Sequence, residues 1–79
     1  MKCRIRNFGV VREIMGGKEL DFEFSGTTVA DLRAALFARY PDLVPLNSLF
    51  VAVNQQYAQE DTALRDTDEI ALIPPVAGG

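Results

Sequence analysis

Polar and apolar residues alternate at the start of the chain. Lys2, Arg4 and Arg6 stand against Cys3 and Ile5, a period of two that predicts a half-buried strand from Lys2 to Phe8. VVREIMGG, Val10 to Gly17, loses that period and reads as a short helical turn or loop, ended by its two glycines. Alternation returns in KELDFEF, where Leu20, Phe22 and Phe24 are expected on the core side and Glu19, Asp21 and Glu23 in water. Ser25-Gly26 breaks that strand. Thr28 and Asp31 then stand in the relation of a capping box, Asp replacing the longer Glu. Val29, Leu32, Leu36 and Tyr40 come next at helical spacing and predict one buried helix face. Pro41 ends the helix, because the residue before a proline resists helical dihedrals.

The second half reads as shorter pieces. DLVPLNS, Asp42 to Ser48, is expected to be a loop, and LFVAVN, Leu49 to Asn54, a short apolar strand. The chain turns at Asn54-Gln55-Gln56, and Tyr57-Ala58 pairs back briefly. ALRDTD, Ala63 to Asp68, is turn sequence, and EIALI, Glu69 to Ile73, is the last strand. The first two strands are too close in sequence for a crossover and form a hairpin, whereas the helix allows a later strand to run parallel to its neighbour. The expected class is α+β with the β-grasp (ubiquitin-like) arrangement. A mixed four- to five-stranded sheet carries one main helix on one face and ends in an extended C-terminal tail. Residues 1–73 make the domain and 74–79 the tail. The uncovered sheet face is expected to be solvated or covered by a partner, with Arg4 and Arg6 pairing to Glu19, Asp21 and Glu23 across the hairpin.

Composition narrows the chemistry. Seventy-nine residues, 48% of them hydrophobic, suffice for one thin core. The formal charge of −3, with scattered basic residues, argues against nucleic-acid binding. No apolar run approaches the roughly 20 residues of a membrane span. The start has no secretory signal pattern, so a cytoplasmic location is expected. One cysteine, Cys3, and no histidine leave no disulfide framework, no Cys/His zinc site and no Ser–His or Cys–His pair. Neither a metal site nor a bound cofactor is expected. Cys3 reads as a small buried hydrophobe. The carboxylates read as solvated surface, so the body of the domain shows no catalytic constellation.

The ending PPVAGG is what remains. Pro74 and Pro75 lack N–H groups and cannot continue a central ladder. They favour extended geometry at about 3.1 Å per residue, so six residues reach on the order of 20 Å. Val76 and Ala77 are small, and Gly78 and Gly79 have no side chains, so a narrow channel admits this backbone. The group delivered is the carboxylate of Gly79, with an ordinary pKa of about 3.3–3.7, ionised and a poor electrophile until activated, most simply as an acyl-adenylate. Phe8, Tyr57 and Ile73, at strand ends or edges near the tail's exit, form a candidate partner-contact patch. Plain core packing is the competing account of each.

Several stretches carry a family resemblance that spans nearly the whole chain. FGVVREIMG (Phe8 to Gly16) is similar to a Phe-Ala-x-x-Arg-Glu stretch. TTVADLRAAL matches a capped helix and VAVNQQ a strand and turn. LRDTDEIALIPPVAGG is close to Leu-x-Asp-Gly-Asp-Glu-Val-Ala-x-x-Pro-Pro-Val-x-Gly-Gly. Together they resemble the MoaD family of ubiquitin-like sulfur carriers, small subunits of molybdopterin synthase. Pro-Pro-Val before the diglycine separates that family from its thiazole and tRNA-thiolation relatives. The resemblance implies that an adenylyltransferase partner, using ATP and magnesium, adenylates Gly79. A sulfur donor protein then converts the acyl group to a thiocarboxylate (1-thioglycine). The loaded tail enters the large catalytic subunit, in a heterotetramer of two small and two large subunits, and gives sulfur to a cyclic pterin monophosphate precursor of the molybdopterin dithiolene. Such a chain is a carrier and not an enzyme by itself. Arg12 and Glu13 match the family stretch but also read as solvated helix charges. Thr67 stands where the family favours Gly, Gly9 where it uses Ala, and Asn7 where an apolar residue is common. The first departure predicts an altered or strained turn, and the other two a looser end to strand 1. Another thiolation pathway, a protein modifier joined through Gly79 to lysine, and an interaction domain with an inert tail are the alternatives.

Overall fold

The alternating start forms β1, Lys2–Asn7, with Cys3, Ile5 and Asn7 turned inward and Lys2, Arg4 and Arg6 outward. The computed structural model describes residues 1–46 and 48–75. The strand ends one residue before the expected Phe8. The N–H of Phe8 still donates to the carbonyl of Leu72 at 3.2 Å, but Gly9 then turns the chain into α1, Val10–Met15. This helix buries Val11 and Met15, four residues apart on one face. Gly16, left-handed at φ 86°, closes it by donating its N–H to the carbonyl of Arg12. Asn7 does not loosen β1. Its N–H donates to the carbonyl of Lys18 at 2.7 Å, and its Nδ2 to that of Gly17 at 3.0 Å, which ties the α1–β2 turn to the strand.

Strand β2, Glu19–Glu23, pairs antiparallel with β1, Lys2 opposite Glu23 and Arg6 opposite Glu19. Phe22 and Phe24 are buried as expected, whereas Leu20 is only half-buried. The capping box forms in full ahead of α2, Val29–Arg39. The N–H of Asp31 donates to Thr28 Oγ1, and Asp31 Oδ2 accepts from the N–H groups of Thr28 and Thr27. Val29, Leu32 and Leu36 form the buried face of α2. Tyr40 caps the helix and is half-buried, a departure from the expected stripe. The stretch 42–48, expected as a loop, begins instead inside a 3₁₀ helix, Pro41–Leu46. Pro41 does stop the α-helix, but Leu43 is fully buried and donates its N–H to the carbonyl of Tyr40. The fixed φ of Pro45 suits a 3₁₀ turn.

β3, Phe50–Val53, and β4, Gln56–Tyr57, form a hairpin whose two linking residues, Asn54 and Gln55, have φ of 53° and 71°. Positive φ at both positions is the mark of the tight turns that match strand twist. β5, Glu69–Ile73, lies parallel to β1 and antiparallel to β3, giving the order β2-β1-β5-β3-β4. Five strands with one main helix on one face make the expected β-grasp. Cys3, Ile5, Phe22, Val51, Ile70 and Leu72 from the sheet meet Val29, Leu32 and Leu36 of α2 in one core. Each such aliphatic or aromatic side chain contributes roughly 1.5–3 kcal/mol on burial. Thr67 carries no strain: among the described non-glycine residues only Asn54 and Gln55 have positive φ. The turn before β5 is held instead by Asp68, which accepts from the N–H of Arg65 and from Asn54 Nδ2.

Candidate functional site

The face of the sheet opposite α2 divides into two halves of different chemistry. On β2 and β1 the outward residues are charged. Arg4 lies between Asp21, at 3.3 Å, and Glu19, at 3.8 Å. Arg6 does not reach across the hairpin as expected; it pairs with Glu69 of β5 at 3.5 Å, because the parallel β1–β5 register puts that carboxylate beside it. Glu23 makes no ion pair among the described residues.

On β5, β3 and β4 the outward residues beyond Glu69 are apolar. Phe8, Tyr57 and Ile73, which share no local sequence, line one groove, floored by Ala52 and Ala71 and rimmed by Arg6 and Glu69. Tyr57 is 70% exposed and Phe8 39%, so core packing accounts for neither; Ile73 is half-buried. Phe50, 48% exposed, enlarges the patch. It stands opposite Ile73 in the ladder, and its ring centroid is 5.1 Å from that of Tyr57. Phe50 was not legible as a surface residue, because the run LFVAV is apolar on both faces and hides which one is outward. The Arg6 guanidinium lies 5.8 Å from the Phe8 ring centroid and marks the border between the halves.

The tail leaves from this groove. Ile73 ends β5, Pro74 is half-buried and Pro75 exposed. Val76, Ala77, Gly78 and Gly79, the rest of the expected tail, lie outside the described residues. Arg12 and Glu13 are both exposed on α1.

The titratable groups with shifted behaviour are not in the groove. Burial pushes the Cys3 thiol up, helped by the nearby Asp68 charge, so it stays protonated and inert at neutral pH. Hydrogen bonds from the Arg65 N–H and the Asn54 side chain hold Asp68 below the usual carboxylate range; those from Thr27 and Thr28 do the same for Asp31. Among the described residues no group of three or more His, Cys, Asp or Glu side chains is placed to hold a metal ion. None of the described helices is long and apolar enough to cross a membrane. The arrangement presents an apolar patch beside the point where β5 ends and Pro74 begins.

Comparison with known proteins places the chain in a family. The sequence profile of the ThiS family matches residues 5–79. A molybdopterin synthase sulfur carrier subunit from Chlamydomonas reinhardtii is 39% identical, with 100% of each chain covered. Small archaeal modifier protein 1 from Methanosarcina acetivorans superposes with a TM-score of 0.81 at 28% identity, covering 99% of this chain and 96% of its own. A chain in the complex of subunits 1 and 2 of the molybdopterin-converting factor from Helicobacter pylori superposes with a TM-score of 0.70 at 27% identity, with 100% of both chains covered.

Proposed function

The chain belongs to the ThiS family, and from that premise we propose that it is the sulfur carrier subunit of a molybdopterin synthase. The observation that carries this reading is the end-to-end match to a carrier of that name at 39% identity. The apolar groove beside Pro74 supports it, because a carrier needs a docking surface where its tail emerges. Gly79 is the reacting residue. An adenylyltransferase partner, with ATP and magnesium, joins the Gly79 carboxylate oxygen to the α-phosphorus and releases pyrophosphate. Sulfur delivered at the sulfide level by a donor protein attacks the acyl carbon and displaces AMP, which leaves a thiocarboxylate. In the large subunit that thiocarboxylate sulfur attacks a carbon of the cyclic pterin monophosphate and displaces an oxygen substituent from it, a C–O bond breaking as the C–S bond forms. Water then cleaves the acyl–sulfur bond, which returns the Gly79 carboxylate and leaves sulfur on the product.

Pro74, Pro75, Val76, Ala77 and Gly78 are the stretch that the partner's channel reads, and no cofactor resides on the carrier. Phe8, Tyr57, Ile73 and Phe50 are the contact with the large subunit, in a heterotetramer of two small and two large subunits in the cytoplasm. Hot spots of this kind are aromatic and lie at the centre of a desolvated patch. Catalytic side chains belong to the partners. Intact-mass analysis of the chain from sulfur-replete cells is expected to show one oxygen replaced by sulfur at Gly79. Deletion of Gly79 is expected to abolish molybdoenzyme activity without unfolding the domain. Retained activity in that deletion overturns the reading.

The likeness to a small archaeal modifier protein favours a second role, attachment through Gly79 to lysines of other proteins. Gly-Gly remnants on target lysines that vanish with the Gly79 deletion are its signature, and their absence removes it.

A further inference from the structure

The β3–β4 turn borders the apolar groove at the end remote from the tail. Gln55, the second residue of that turn, lines the groove together with Tyr57, Ala71 and Ile73. The N–H of Asn54 donates to the carbonyl of Glu69 at 2.7 Å, which seats the turn beside the start of β5. Ile73, next to the tail, is the other end of that five-residue strand, about 13 Å away at the usual rise per residue. Two properties set Gln55 apart. Its φ is 71°, and the second position of a two-residue hairpin turn of this kind favours glycine. A glycine there is free of strain, so the Gln55 side chain is held at a cost to the fold. The fold makes no polar use of it. The side-chain hydrogen bonds of the turn belong to Asn54, which donates to Asp68 and accepts from the N–H of Glu69. Gln55 makes none among the described residues. Strain retained at a residue that lines a binding surface points to a use there.

A partner that covers the groove covers this carboxamide as well. The charged side chains of the groove, Arg6 and Glu69, pair with each other at 3.5 Å and can be covered together. The carboxamide has no such partner in the chain. Its N–H donors and carbonyl oxygen are costly to remove from water unless something bonds them. A wholly apolar surface leaves them unpaired and is rejected, whereas a peptide group, with one N–H and one C=O, satisfies them. We infer that Gln55 is a specificity-determining residue of the docking groove: its carboxamide pairs with a main-chain peptide group of the large subunit and fixes how that subunit lies along the groove relative to the tail. The inference rests on the carrier reading and adds to it a polar anchor at the end of the groove opposite Phe8 and Ile73.

Two substitutions separate hydrogen bonding from packing and from folding. Gln55→Gly removes the side chain and the strain together. Gln55→Met keeps the length and the strain but supplies no N–H donor and only a weak acceptor. Binding of the full chain to the large subunit is measured by titration calorimetry, and melting of the free chain by circular dichroism. Gln55→Gly is expected to raise the melting temperature by about 2–5 °C. It is also expected to weaken binding about fivefold, water taking the place of the carboxamide on the partner's peptide group. Gln55→Met is expected to melt within about 2 °C of wild type and to bind about tenfold more weakly, because its thioether excludes that water and leaves the peptide group unpaired. A side chain that acts by packing alone gives the opposite order, with Gln55→Met binding at least as tightly as wild type, and that order overturns the inference. So does wild-type affinity in Gln55→Gly. A Gln55→Gly chain that melts no higher than wild type overturns it too, since the fold then needs the side chain. Binding by wild type with no loss in either variant defeats the inference and leaves the carrier reading standing. A wild-type chain that does not bind the large subunit defeats the carrier reading, and the role of Gln55 falls with it.

Discussion

The two halves of the sheet's open face share one pleat and face the same way, yet they are finished differently. On β1 and β2, Arg4 and Arg6 are each matched by carboxylates within 4 Å. Exposed pairs of this kind contribute about 0–1 kcal/mol and are at home in water. On β5, β3 and β4, Ile73, Phe50 and Tyr57 sit beside one another with much of their surface wet. Their exposure is not repaid by folding, since the core lies on the other side of the sheet. The charged half is complete in the free chain, and the apolar half is the one that association would complete under the carrier reading. Arg6, paired with Glu69 and lying by the Phe8 ring, forms the boundary.

The largest test removes the apolar half's function. Tyr57→Ala is expected to weaken binding to the large subunit by about 30-fold or more, equivalent to about 2 kcal/mol at a central aromatic. Stability should change by less than about 0.5 kcal/mol, because Tyr57 is 70% exposed. Calorimetric titration beside thermal melting reads both. Unchanged affinity would place the interface elsewhere.

A smaller effect is expected from acid. Asp68 is held below the usual carboxylate range by the Arg65 N–H and by Asn54, which opens the turn carrying Tyr57. Its folded pKa is depressed, so its contribution to stability is present above the unfolded value of about 3.9 and is lost as pH falls through the folded one. Protection of amides in the β3–β4 turn, measured against the intrinsic exchange rate at each pH, should therefore fall below about pH 4. In Asp68→Asn that acid dependence should be reduced. Equal acid dependence in both proteins would assign the loosening to other carboxylates.

Legibility in the sequence depends on distance along the chain. Alternation placed β1, β2 and β5, and Thr28 with Asp31 placed the start of α2, because those signals lie within a few residues. The partner of Arg6 was not legible, since Glu69 is 63 residues away and reaches it only through the parallel β1–β5 pairing. Phe50 was hidden inside a run apolar on both faces. The 3₁₀ helix at Pro41–Leu46 was masked by two prolines that read as loop, although buried Leu43 anchors it. Phe8, Tyr57 and Ile73 were legible as residues at strand ends or edges near the tail's exit, but the groove joining them requires the strand order. Gly9 read as a loosening substitution, whereas its φ of 56° turns the chain from β1 into α1.

The smallest effect is expected in the charged half, and it is the sharpest check on the comparison. Among the described residues Arg4 forms ion pairs with Glu19 and Asp21 alone, with about three-fifths of its side chain in water. Arg4→Ala removes two exposed ion pairs, and solvent screens both before and after folding. The expected loss of stability is within about 0.5 kcal/mol, and the change in affinity for the large subunit within about twofold. In salt near 1 M, where screening acts over about 3 Å, wild type and variant should converge in stability. The loss caused by Tyr57→Ala should persist there, because apolar burial is not screened. If Arg4→Ala weakened association as much as Tyr57→Ala does, the charged half would be part of the docking surface. The face would then work as one unit, and the boundary at Arg6 would carry no meaning.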